Sequence, residues 1–208
     1  KSGPTILTGF VNHLGNAIDE PYIYDNPGCE PADACLVWQD APNLVGGIAL
    51  AADKQSIRFD VDRSSIRQGN AIIAVRDASG TIVWSWHIWV TAADLDAAVQ
   101  TYTLYDNFAA AGPTVLMDRN LGALKAGMWG TNGDNLALGL LYQWGRKEPF
   151  IGAKVLSKNK YYEGHAEYPD AFGAMTREVA FNASRTAGWQ VSGGEMTAAA
   201  ANGNPTTF

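Results

Sequence analysis

Residues 69–91 read GNAIIAVRDASGTIVWSWHIWVT, two runs of β-branched and aromatic residues on either side of DASG. Asp77, Ser79 and Gly80 supply turn chemistry, so residues 70–90 are predicted to form a β-hairpin. Successive residues of a strand take opposite faces. Ile82, Trp84, Trp86, Ile88 and Val90 therefore share one wholly apolar face, while Val83, Ser85, His87 and Trp89 share the other. The apolar face is expected to be core, and its burial at about 25 cal/mol per Å² is worth several kcal/mol. His87 and Trp89 form the opposite pair, expected to meet a second domain or a partner. A half-buried, hydrogen-bonded role for His87 is favoured over metal ligation.

Outward from the hairpin, the pattern stays β. In SIRFDVD (residues 56–62), Ile57, Phe59 and Val61 alternate with polar residues, the period of a half-buried strand. ACLVWQDAP, around Trp38, reads as another strand ended by Pro42. Residues 1–95 are thus expected to form a β-sandwich-like domain. From TAADLDAAVQ the residues become small and polar, marking a connection over 91–101 in which Thr91 is expected to cap a short helix. YTLYDNF and PTVLMDRNLG read as two further strands. Leu136, Leu140 and Trp144 recur at four-residue spacing after Asp134, which predicts a helix from Asp134 to Gly145, with Pro149 forbidding continuation. Residues 151–208 carry little periodicity and are expected to be irregular. The fold class is mainly β with some α, divided into 1–95 and an α+β module over 96–208.

The chain has 208 residues, 47% hydrophobic and 17% charged, with 22 glycines, a composition that suits a turn-rich globular fold. Its net charge of −6 and lack of a basic run argue against a nucleic-acid partner. No stretch approaches the ~20 apolar residues of a membrane-spanning helix. KSGPTILTGF, at the start, lacks signal-peptide character. A chain that opens without Met and closes on NGNPTTF reads as a piece of something longer, with an anchor or signal expected upstream.

Residues able to carry chemistry are few. Cys29 and Cys35, in NPGCEPADAC, are the two cysteines, and their spacing favours one disulfide over two thiols. Three histidines occur, His13, His87 and His165, none within a GxSxG, HExxH, phosphate-loop or dinucleotide pattern. Asp60 with Asp62, or Asp118 with Glu148, pair on paper as glycosidases pair carboxylates, but a solvated strand face accounts for the first two more simply. Oxygen-rich NGDN (132–135) and YDNPGCEPAD (24–33) invite a calcium reading, yet neither follows the twelve-residue loop, and turn chemistry is preferred. No metal or cofactor is expected.

Two longer stretches resemble known families. FVNHLGNAIDEPYIYDNPGCEPADACLVWQDAPNLV, followed by SIRQGNAIIAVRDASGTIVWSWHIWVT, resembles the repeated C-terminal regions of large fimbrillin-type and related surface proteins of anaerobic gut and oral bacteria. VLMDRNLGA, followed by GLLYQWGRKEPF, is similar to C-type-lectin-like modules of the major-paralogous-domain kind. The matches cover residues 10–150. They imply an exported, lipid-anchored protein of the outer membrane surface, a pilus-tip or adhesin-like subunit rather than an enzyme. Its implied partners are other surface or pilus subunits, glycan or host protein. The CPAGWRVP-like stretch usual after YQWGR is missing, with TAGWQVSGG (186–194) a faint echo, so the second module reads as incomplete.

Asp118, Arg119, Asn120, Trp144 and Arg146 are the candidate ligand-binding residues if they line a common groove, since Arg and Trp are favoured at binding hot spots. The preferred expectation pairs Asp118 with Arg119 internally and places Trp144 in the core. Two other functions compete with the adhesin: a carbohydrate-active or modifying enzyme on a fold like that of formylglycine-generating enzymes, and a spacer without ligand.

Overall fold

A computed structural model describes residues 12–102, 113–127, 135–142, 149–150, 165–168 and 173–176. Its centre is the predicted hairpin. Strands β1 (Asp33–Gln39), β2 (Gly46–Leu50), β3 (Ile57–Asp60), β4 (Gly69–Arg76) and β5 (Ile82–Val90) are followed by β6 (Val99–Tyr102), β7 (Thr114–Met117), β8 (His165–Tyr168) and β9 (Gly173–Thr176). One sheet has the order β5-β4-β1-β8-β9; β2–β3 and β6–β7 are separate two-stranded ribbons, and every pairing is antiparallel. The protein is mainly β. Among the described residues helix is confined to 3-10 turns at Ile23–Asp25 and Asn135–Ala137.

The hairpin turn is built by Asp77. Its Oδ1 accepts the N–H groups of Ser79 (2.8 Å) and Thr81 (2.9 Å), and Gly80 takes the left-handed φ of +87° that the turn demands. β4 is buried along its whole length except Arg76, as its continuous run NAIIAV requires of a strand covered on both faces. Ladder pairing places Ala71, Ile73 and Val75 beside Ile88, Trp86 and Trp84 on one face. Asn70, Ile72 and Ala74 lie beside Trp89, His87 and Ser85 on the other.

Each face has its own cover. Over the first lies the β2–β3 ribbon, where Ile48, Ile57 and Phe59 pack with Ala71 and Ile73. Over the second lies Leu140, clustered with Val37, Trp38, Ile72 and Ala74. The assignment of β5 faces therefore needs correcting. The ribbon stops short of Trp86, leaving it 38% exposed, whereas Ser85 on the supposedly outward face is buried. Irregularities in the ladder at Leu36/Trp38 and Val75/Arg76 leave Val37 and Val83 outside strict alternation, and Val83 joins Val75 and Cys29 in a third cluster.

The helix predicted over 134–145 does not form in its described part. Gly139 has a left-handed φ of +72°, the Leu136 carbonyl accepts Leu124 N–H (2.8 Å), and the Leu138 carbonyl accepts the Asn120 amide (3.2 Å). Leu141 then pairs with Phe150 as a β-bridge. Tertiary hydrogen bonds have taken carbonyls that a helix would use internally. Likewise Thr91 caps a turn rather than a helix, its Oγ1 accepting Ala93 N–H at 3.1 Å, and β6 begins at Val99, upstream of the predicted strand over 102–108. Ala98 N–H closes a turn onto the Asp94 carbonyl (2.9 Å), and β8 and β9 extend the sheet formed by β1, β4 and β5.

Cys29 and Cys35 are not bonded to each other, contrary to the expected disulfide. Cys29 clusters with Val75 and Val83, while Cys35 pairs with Ala74 in the ladder and packs against the Trp38 cluster on the opposite face. A sheet separates the two thiols.

Two substitutions test the second cover. Leu140→Ala is expected to lower unfolding stability by about 2–5 kcal/mol, the usual cost of emptying a core leucine. Gly122→Ala is expected to cost about 2 kcal/mol or more, because its φ is +76° and a Cβ there meets Leu140 and the Asn70 side chain. Urea midpoints measure both; a loss below about 0.5 kcal/mol for Leu140→Ala would exclude that residue from the core.

Candidate functional site

A concave feature lies on the first sheet face, where the β2–β3 ribbon and Trp86 line one groove. Its volume is about 390 Å³, within the range of ligand pockets. Ile73, Val75, Ile57 and Phe59 give it an aliphatic and aromatic floor. Tyr22 and Trp86, 45% and 38% exposed, are large aromatic groups in its lining, with Lys54, Gln55 and Ser56 as polar members.

Local sequence places each of these groups. Asn26 organises the loop that carries Tyr22: its carboxamide oxygen accepts the N–H groups of Asp19 (3.0 Å) and Glu20 (3.2 Å), and its nitrogen donates to the carbonyls of Glu20 and Tyr22. That is turn chemistry, as preferred for YDNPGCEPAD, and no cluster of three or more metal-ligating side chains occurs among the described residues. The Tyr22 and Tyr24 rings lie 5.8 Å apart. Gln55 Nε2 donates to Tyr24 Oη at 3.0 Å, tying the ribbon tip to this loop. At that tip Lys54 N–H donates to the Ala51 carbonyl (2.9 Å), and Lys54 has a left-handed φ of +59°, an uncommon state for a residue with a Cβ.

Behind the groove, on the second face, sits a polar network. Asn70 donates both amide hydrogens, to Asp40 Oδ2 (2.9 Å) and to the Gly122 carbonyl (3.0 Å). Its oxygen is left facing His87 Nε2 at 2.9 Å, which places the imidazole proton on Nε2. Asp40 Oδ1 also accepts the Asn70 backbone N–H at 2.6 Å. Burial depresses the His87 pKa from 6.5 to about 4, against the opposing pull of Asp40. His87 is therefore neutral at pH 7 and engaged with Asn70, a half-buried, hydrogen-bonded histidine as its position in the strand suggests. Trp89 Nε1 is buried, with no hydrogen-bond partner among the described residues.

Of the expected ligand residues, Asp118, Arg119 and Asn120 are described. Arg119 donates to Asp118 through Nε (2.7 Å) and a terminal nitrogen (3.2 Å), and this pairing holds the Asp118 carboxyl below its usual range. Asn120 is spent on the backbone at Ala137 and Leu138. Trp144, Arg146 and Glu148 lie outside the described residues. Asp62 accepts from Ser64 and Ser65 within its own turn. Cys29 is buried, its Sγ accepting from Asn12 Nδ2 at 3.4 Å, and burial pushes its thiol pKa up. Sequence reading missed Tyr22, Lys54 and Gln55. The aromatic doublet in PYIYD was the available signal.

The network yields a pH prediction. A histidine whose folded pKa lies below its unfolded value binds more protons when unfolded, so stability is fully present above pH ~6.5 and falls as pH drops towards 4. For His87 the loss is on the order of 3 kcal/mol. Urea unfolding from pH 7 to 4 should show this decline, and His87→Gln, which keeps a donor for Asn70, should flatten it relative to the parent. Identical slopes would remove His87 as the cause.

Set beside protein-family models, curated proteins and solved structures, the chain matches none of the three.

Proposed function

We propose that this protein is a non-enzymatic binding module of an exported cell-surface or pilus-type protein, and that its contact site is the aromatic groove between the β2–β3 ribbon and the hairpin. The observation that carries this reading is Trp86. An indole on the apolar face of a core strand, left 38% exposed at the rim of a groove with Tyr22 nearby, suits recognition better than packing. In this reading the ribbon and strands β1, β4 and β5 serve as the layers of a sandwich-like unit, and the region after residue 95 is the C-type-lectin-like module, which adds β8 and β9 to the sheet and braces it from behind through Gly122 and Leu140. Support for the bracing is the contact of both residues with the β4 strand and its neighbours.

A host protein or a neighbouring subunit fits this groove better than a glycan. Aromatic faces suit sugars, but the floor of Ile73, Val75 and Ile57 offers nothing to the hydroxyl groups of a buried pyranose. The test is binding of the intact protein to panels of purified extracellular-matrix proteins and of glycans, beside Trp86→Ala and Trp86→Phe. Trp86→Ala is expected to lower affinity for a protein target roughly tenfold or more, with Trp86→Phe retaining part of it. Binding untouched by Trp86→Ala, or none on either panel, would sink the reading.

A further inference from the structure

The charge at the groove narrows what occupies it. Among the described residues lining it, Lys54 is the one formally charged side chain at pH 7, and no ion pair of Lys54 occurs among the described residues. In a chain of net charge −6 this leaves a cation beside an apolar floor without a carboxylate of its own in that floor. A second depression also borders Lys54, with Glu30 and Asp77 among its lining. The Asp77 carboxylate is held by Ser79 and Thr81 in the hairpin turn.

Gln55 adds orientation. Its amide nitrogen is committed to Tyr24, so its carbonyl oxygen remains as an acceptor near the rim, and the exposed Ser56 stands next to it in the chain. Together the lining has an apolar floor for bulky side chains, short polar groups for peptide N–H and C=O, and one cation.

Resting on the reading of the groove as the contact site, we propose that its occupant is a short extended peptide segment of a protein partner in which bulky apolar residues flank an acidic one, the carboxylate meeting Lys54. A purely apolar segment would gain nothing from Lys54, which an acidic one can pair with. A basic one would be repelled, and a sugar would leave the floor unmatched.

The experiment compares three capped peptides, Ala-Phe-Asp-Phe-Ala, the same peptide with Asn in place of Asp, and one with both Phe replaced by Ser, titrated into the intact protein and followed by tryptophan fluorescence and calorimetry. The Asp peptide is expected to bind up to about fivefold more tightly than the Asn peptide at low salt, as for an exposed ion pair, and the Ser peptide to show no saturable binding. Lys54→Met should erase the difference between the Asp and Asn peptides. Trp86→Ala should weaken both. Equal binding of the Asp and Asn peptides overturns the acidic-peptide proposal but leaves the groove as a site. Binding confined to glycans and sensitive to Trp86→Ala overturns the peptide class alone. Peptide affinity indifferent to Trp86→Ala overturns both readings.

Discussion

Asn70 ties the molecule together. Its side chain is fully buried in β4, where an unsatisfied amide would cost about 1–3 kcal/mol, and each of its hydrogen-bonding groups reaches a different part of the chain. One hydrogen goes to Asp40 just past β1, one to the carbonyl of Gly122 beyond β7, and the oxygen meets His87 on β5. Three separate segments are thereby held in register with the central strand. Low local dielectric strengthens such a network when complete and makes any missing member expensive. Gly122 is glycine because its φ is positive and because the amide of Asn70 approaches where a Cβ would stand.

With β4 pinned from behind, its other face can afford an incomplete cover. The ribbon covers Ala71 and Ile73 but leaves Trp86 open, and the groove is the space between the ribbon edge, the Tyr22 loop and the hairpin. A structure that closed both faces equally would have a thicker core and no concavity there. Both faces carry buried clusters, around Ala71 and Ile73 on the ribbon side and around Trp38 and Leu140 on the other.

What the residues announce follows from how local the cause is. Hairpin 69–90, strand β1 around Trp38 and strand β3 at Ile57–Asp60 are legible because β-branched runs, period-two alternation and the Asp77–Gly80 turn segment act within a few residues. The faces of β5 were not, because counting apolar residues ranks Trp86 above Ser85 and His87, while the buried side is satisfied by hydrogen bonds whose partners, Asn70 and Asp40, are 17 residues or more away in sequence from His87 or each other. The same holds after residue 134. Leu136 and Leu140 have helical spacing, yet Gly139 and the demands of Leu124 and Asn120 on nearby carbonyls decide the backbone. Cys29 and Cys35 are close in sequence, but a strand passing between clusters on opposite faces outweighs short separation. The groove was hidden for a related reason: Tyr22, Lys54 and Trp86 come from three segments, and only the packed sheet brings them to one place.

The network and the groove meet on β5. His87 and Trp86 are adjacent, so they project to opposite faces, and whatever fixes one backbone fixes the other. A neutral His87 held by Asn70 keeps this strand seated against β4 and presents the Trp86 indole on a rigid ladder instead of a mobile loop. An indole has two side-chain torsions to order, and a preordered strand leaves little backbone entropy to lose on contact. Acid that protonates His87 would act on Trp86 without touching it, by loosening the strand that carries it.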